Sequence, residues 1–339
     1  VQDAMPEPQV LVGLDLILRL PRAQADTLTS TIPLGDYVVG AAVSPDGNEL
    51  FVTRSPNLVD VVSTLSNTVT STITAGDNPR DVEFSADGSA AYVPNYGDNT
   101  VTVIDGTTLT VTNTIPVGSG NPTDVALSPT RSIAYVTKVN ADLVAVVDLT
   151  NGNVIDSITT GDGPNSVAFT PNGERAFVAN ESGDSVTIID ATTDSVIGTT
   201  AVGDNPFALA ITPDGSRVYV TNYGSRSITV LNAGTGSVMG SPIPLAGQPL
   251  KFSFTPNGTR AVVATRSPNA AEFVEVASGT STNSVALGSG PLDVAITPNA
   301  GTAYVTNFSA FSVSVISMTA TPGAPTSVAG TPGNGEVDL

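Results

Sequence analysis

A Gly-x-x-Pro turn that returns about every 42 residues, strand-length segments rich in Val, Ile and Thr, and Pro-Asp-Gly or Pro-Asn-Gly hairpin turns between the copies predict an all-β fold. The expected architecture is a seven-bladed β-propeller of four-stranded antiparallel blades. The first turn reads Gly76-Asp-Asn-Pro79, Gly161-Asp-Gly-Pro164, Gly203-Asp-Asn-Pro206 and Gly288-Ser-Gly-Pro291, with looser copies at Gly118 to Pro122 and Ala246 to Pro249. Gly35-Asp-Tyr-Val38 fills the first slot without its proline. The second turn recurs as Pro45-Asp-Gly47, Ala86-Asp-Gly88, Pro171-Asn-Gly173, Pro213-Asp-Gly215 and Pro256-Asn-Gly258, with weaker copies at Pro129 and Pro298. Proline fixes φ, Asp-Gly and Asn-Gly allow tight hairpins, and Asp or Asn side chains bond back to the backbone.

Each unit reads as four strands. In the second unit these are expected at Asp81–Ser85, Ala90–Pro94, Thr100–Asp105 and Thr110–Pro116. The strands are apolar on both faces, as expected of sheets sandwiched between neighbours, and a stack of such sheets hides every face when it closes into a ring. The seventh unit ends near Met318 with three strands of its own, while a spare outer-strand sequence, Thr27–Pro33, precedes the first unit. That segment is expected to pair as the outermost strand of the seventh sheet and close the ring.

A short strand follows the second turn in every unit: Phe51-Val-Thr-Arg54, Tyr92-Val-Pro-Asn95, Tyr135-Val-Thr-Lys138, Phe177-Val-Ala-Asn180, Tyr219-Val-Thr-Asn222, Val262 to Arg266, and Tyr304-Val-Thr-Asn307. With these motifs the chain resembles the YVTN-repeat β-propellers of microbial surface and secreted proteins. The resemblance covers roughly residues 27–318. It implies a scaffold, and an extracellular or cell-surface setting, without specifying an activity. Units one, three and six depart from it, with Arg54, Lys138 and Arg266 near the usual Asn position.

Both ends fall outside the repeat, so the expected organisation is an extension over 1–25, a propeller over 26–319 and a further segment over 320–339. Val10, Val12, Leu14, Leu16, Leu18 and Leu20 alternate strictly, which reads as one long amphipathic strand. It either covers a patch on its own chain or is donated to a neighbouring subunit, giving a homo-oligomer or filament. Ala23-Gln-Ala25 looks like a signal-peptidase site, but the segment before it is acidic and proline-bearing where a basic stretch belongs. The C-terminal Ala324-Pro325, Val328, Gly333-Asn-Gly335, Val337 and Leu339 resemble the opening of a fibronectin type III domain; the other reading is a Pro/Gly/Thr linker.

Composition narrows the chemistry. The 339 residues contain no Cys, His or Trp, which excludes disulfides, thiolate nucleophiles, Cys- or His-ligated zinc and a Ser-His-Asp triad. A formal charge of −19 argues against a phosphate-backbone partner and hence against nucleic acid. No run of 18 uncharged apolar residues offers a transmembrane helix. Asp/Asn/Gly loops such as Gly97-Asp-Asn99 leave calcium as the one plausible metal, but Asp-Gly is the expected turn chemistry and no cofactor is assigned.

In a four-stranded meander the Gly-x-x-Pro turns and the loops after the YVTN strands share one face. The candidate ligand- or partner-binding residues there are Arg54, Arg80, Tyr96, Lys138 and Phe207, with Tyr223, Arg226, Lys251, Arg266 and Phe308. The repeating Asn residues read as structural, through left-handed φ and bonds to their own turns. Lys251 stands where other units have Asp81, Asp124 and Asp293. In a chain with 12 cations, several on one face mark either an anion site or salt bridges to those same aspartates.

No carboxylate pair stands apart from the turn chemistry, so catalytic residues are not assigned. The leading expectation is therefore a non-enzymatic surface or extracellular module for adhesion, assembly or ligand display, whose partners are other protein subunits or cell-surface components. The alternative is a lactonase- or lyase-like propeller enzyme, which a cluster of channel carboxylates with raised pKa would favour.

Overall fold

The β-branched segments between the turns form strands, and in the computed structural model, which describes residues 25–319, these strands make seven four-stranded antiparallel sheets. Six sheets are meanders in chain order. The seventh takes Pro291–Ile296, Thr302–Asn307 and Ser312–Ser317 from the end of the propeller and Thr27–Pro33 from its beginning. The pairing runs antiparallel from Thr27 opposite Ser317 to Pro33 opposite Ser312, so the ring closes as the sequence predicts. The extension strand from Val10 to Leu20 and the fibronectin-like segment lie outside the described residues. Among the described residues no helix is long and apolar enough to cross a membrane.

Seven blades meet at seven interfaces, and each interface holds one apolar cluster. Between blades one and two, Phe51, Val59 and Val61 pack against Phe84, Val93 and Ile104. Between blades seven and one, Ile32 of the closing strand joins Tyr304 and Val313 against Leu50 and Val52. The aromatic at the head of the YVTN strand is the largest wedge: Phe51, Tyr135, Phe177, Tyr219 and Tyr304 are fully buried. A buried phenol needs a partner for its hydroxyl, and three of them find it on the next blade. Tyr304 Oη donates to Asn67 Oδ1 at 2.9 Å, Tyr219 Oη to the Val276 carbonyl at 3.4 Å, and Tyr135 Oη to Asp194.

Four of the repeating asparagines are structural, but by a different device from the one expected. Asn95, Asn180, Asn222 and Asn307 are fully buried in strands. Each Nδ2 donates to two hydroxyls on the next strand: Asn95 to Thr100 and Thr102 at 2.9 Å, and Asn222 to Ser227 at 3.2 Å and Thr229 at 2.9 Å. Asn180 and Asn307 repeat the pattern. The glycine of the Gly-x-x-Pro turn lies against this amide. A Cβ on Gly76, Gly161 or Gly203 would come within 2.6–2.7 Å of Asn95, Asn180 or Asn222. The two motifs of the repeat are thus two halves of one contact.

The second blade differs in its inner strand, where the observed ladder spans Glu83–Phe84 rather than Asp81–Ser85. Pro94 explains this. Thr53, Thr137, Thr221 and Thr306 occupy that position in four other blades, and their hydroxyls accept the inner strand's N–H. Ala179 occupies it in the fourth blade, whose inner strand is still complete over Pro164–Phe169, so the hydroxyl is dispensable. Proline differs from all of these in having no N–H to give the ladder.

Candidate ligand site at the central channel

The inner strands line the channel, and their sequence is best understood position by position around the ring. Two residues after the turn proline, or its equivalent Val38, stand Gly40, Asp81, Asp124, Ser166, Ala208, Lys251 and Asp293. Lys251 Nζ lies 2.7 Å from Asp81 Oδ2 and 3.4 Å from Asp293 Oδ2. Asp81 also shares a hydrogen bond with Asp124. The remaining carboxylate valences are met by backbone N–H groups: Val125 and Val167 donate to Asp124 at 2.9 Å, while Val294 and Ala41 donate to Asp293 at 2.7 and 3.1 Å. One lysine and three aspartates therefore tie blades two, three, six and seven together across the axis. Of the two readings left open for Lys251, the salt bridge to the neighbouring aspartates is the one observed.

The charges tune one another. Burial works against the Lys251 ammonium, but Asp293, Asp81 and Asp124 outweigh it and hold its pKa above the ordinary lysine range. Burial likewise opposes ionisation of Asp81, and Lys251 overcomes it, leaving the pKa lowered. Asp124 goes the other way: burial and then the charge of Asp81 push it well up, as two carboxyls sharing a hydrogen bond do not both ionise. Burial, only partly offset by Lys251, raises Asp293 to about 6. Glu83 lies two residues beyond Asp81, at a ring position otherwise held by Ala42, Ala126, Ala168, Ala210, Ser253 and Ala295. Its surface is open to the channel, yet protein surrounds it, and burial followed by the charge of Asp81 pushes it up to about 8.

These groups correct the expectation that no carboxylate pair stands apart from the turns. Asp81 and Asp124 are such a pair, on inner strands. Glu83 went unnoticed although it is the one charged residue in its row of seven. They line a cavity of about 510 Å³ that also includes Ser166 and Phe169.

A second cavity, of about 300 Å³, opens at the Gly-x-x-Pro face. Lys251 contributes to both, so the clasp forms the partition between them. Arg80, Tyr96, Phe207 and Lys251, four of the ten expected face residues, come together here. Thr123, Asn165 and Leu292 were not singled out; each occupies the ring position next to the turn proline, as Arg80 and Phe207 do. That shared offset is the signal by which they are recognised.

The other six lie elsewhere. Arg54 is held by Asp60, at 2.7 Å from Nε and 3.2 Å from Nη2. Arg266 donates from Nε to the Pro291 carbonyl at 3.2 Å and lies one residue past the Asn position, which Thr265 occupies opposite Pro249. Lys138 is buried, and burial lowers its pKa. Phe308 stacks on Tyr37, with ring centroids 4.7 Å apart. Tyr223 lies beside Arg266, and Arg226 is exposed with a φ of 51°. Among the described residues no group of three or more acidic side chains is arranged to hold a metal ion; at the axis the lysine ammonium takes the place a cation would have.

Comparisons with known proteins agree with the seven-bladed fold. A family model described as Lactonase, 7-bladed beta-propeller matches residues 52–196 and 124–285, which together span 52–285. No curated protein matches the chain. Among solved structures the chain is similar to Kuenenia stuttgartiensis Hydrazine Synthase, at 21% identity over 84% of this chain and 96% of that chain, with a TM-score of 0.76. At that identity the similarity is one of fold.

Proposed function

We propose, for a chain that belongs to the Lactonase family of seven-bladed β-propellers, a non-enzymatic binding role: an extracellular or cell-surface module that receives a ligand or partner at the channel mouth on its Gly-x-x-Pro face. The observation that carries the reading is the division of labour at Lys251. Its ammonium and the carboxylates of Asp81, Asp124 and Asp293 are engaged with one another and with backbone N–H groups, which makes them a clasp between blades. The mouth above them combines aromatic, amide and guanidinium groups in a concave site of the size that takes small ligands. The test is a screen of immobilised protein against peptides and oligosaccharides, with Phe207→Ala as control. Binding that Phe207→Ala removes without changing the melting temperature supports the role; equal binding by both proteins sinks it. Assembly through the strand from Val10 to Leu20 belongs to the same proposal and is tested by size-exclusion of protein with and without residues 1–25.

A second reading is supported by the family match together with Glu83. A carboxyl raised to about 8 in a cavity of about 510 Å³ is a suitable general acid for opening a lactone or ester. It differs from the first reading in requiring turnover that depends on Glu83.

A further inference from the structure

Within the proposed binding mouth, two opposite charges face one cavity without pairing. Arg80 stacks its guanidinium on Tyr96, 4.4 Å from the ring centroid. Its Nε is buried and has no hydrogen-bond partner. Among the described residues no carboxylate lies within salt-bridge reach of it, although acidic residues outnumber basic ones 31 to 12. Glu181 lines the same cavity and is likewise without an ion-pair partner. Burial lowers the pKa of Arg80 and raises that of Glu181, so both groups carry an unrelieved desolvation cost. The rest of the lining mixes apolar walls, Val39, Val139, Phe207 and Leu292, with the polar Thr123, Asn140 and Asn165.

A cavity with an unpaired cation, an unpaired acid and apolar walls is complementary to a molecule that carries both opposite charges and an apolar group. We infer that the mouth binds a small zwitterion of the amino-acid class, its carboxylate on Arg80, its ammonium on Glu181 and its side chain against Phe207 and Leu292. Stacking on Tyr96 fixes the guanidinium plane, which orients its terminal N–H groups for a carboxylate. The inference rests on the binding reading above and narrows it to one ligand class.

Calorimetric titration of the intact protein at pH 7 with L-phenylalanine, L-phenylalaninamide and 3-phenylpropionate tests it. L-phenylalanine is expected to bind at least tenfold more tightly than either analogue. Arg80→Gln should remove the preference over the amide, and Glu181→Gln the preference over the des-amino acid; Glu181 is partly exposed, so that variant keeps the test available if Arg80→Gln disturbs the loop. Equal binding of 3-phenylpropionate and L-phenylalanine overturns the zwitterion, as does no binding of any probe. A neutral oligosaccharide or peptide that binds wild type and Arg80→Gln alike, but not Phe207→Ala, also overturns the ligand class while leaving the binding mouth intact.

Discussion

The ammonium of Lys251 lies 2.7 Å from the carboxylate of Asp81 across the central channel, joining the sixth blade to the second. Removing it leaves Asp81 and Asp293 buried without a counter-charge. Lys251→Met is therefore expected to cost about 3–5 kcal/mol at pH 7, the usual effect of breaking a buried pair from one side. The deficit should shrink at pH 4, where the aspartates take up protons. Chemical denaturation at the two pH values measures both effects; a variant as stable as wild type at pH 7 would show that the clasp contributes nothing.

The raised carboxyls set a pH dependence. Asp293 moves from 3.8 to about 6 and Glu83 from 4.5 to about 8 on folding. The folded state binds these protons more tightly than the unfolded chain, so their contribution is full at low pH and is lost as pH rises through 4–8. Asp81, whose pKa is lowered, acts oppositely and costs stability only below about 4. The melting temperature is expected to be higher at pH 5 than at pH 9. Glu83→Gln should raise the value at pH 9 and leave that at pH 5 unchanged, as thermal scans will read.

Ring closure depends on more than the strand pairing. Asp26, just before the closing strand, pairs with the buried Arg260 of the sixth blade and accepts the Thr319 N–H at 2.9 Å. Asp26→Ala leaves a buried guanidinium with Glu275, at 3.2 Å from Nε, as its one remaining ion-pair partner among the described residues, and is expected to lower the melting temperature by several degrees. Deleting residues 26–34 should lower it further, since it also removes Ile32 from the interface between blades seven and one. A deletion that melts like wild type would refute the closure.

The contact between the turn glycine and the strand asparagine predicts a selective cost. An alanine Cβ at Gly203 would lie 2.7 Å from Cγ of the fully buried Asn222, whose amide is held by Ser227 and Thr229. Gly203→Ala should destabilise by about 1–3 kcal/mol. Gly198, whose nearest neighbour would be Ile188 at 3.8 Å, is the control, expected to change stability by under about 0.5 kcal/mol. Urea denaturation of the two variants compares them directly.

The fold was readable because its signals are local and repeated seven times. Turn spacing located the blades, and the spare strand Thr27–Pro33 could be placed by counting. Pro94 shortened one inner strand through the N–H it lacks, and the buried asparagines bond across strands rather than within turns. Both are tertiary effects that propensity does not carry. Lys251 was visible as a cation in a row of aspartates. Glu83, Thr123 and Asn165 were missed because their significance lies in the ring position they share across blades, which no single segment displays. The mouth brings Arg80 together with Phe207 from three blades away, while Arg54 turns instead to Asp60 on its own hairpin. Side-chain direction decides such outcomes, and a strand pattern alone does not specify it.

If the channel charges form a clasp and the mouth is the binding site, the channel turns over no substrate. Hydrolysis of a panel of γ- and δ-lactones at pH 7, followed by pH-stat for wild type and Glu83→Gln, decides this. Rates equal to the buffer blank are expected for both proteins. Turnover by wild type that Glu83→Gln abolishes, with the fold intact, would contradict it and assign the channel to catalysis.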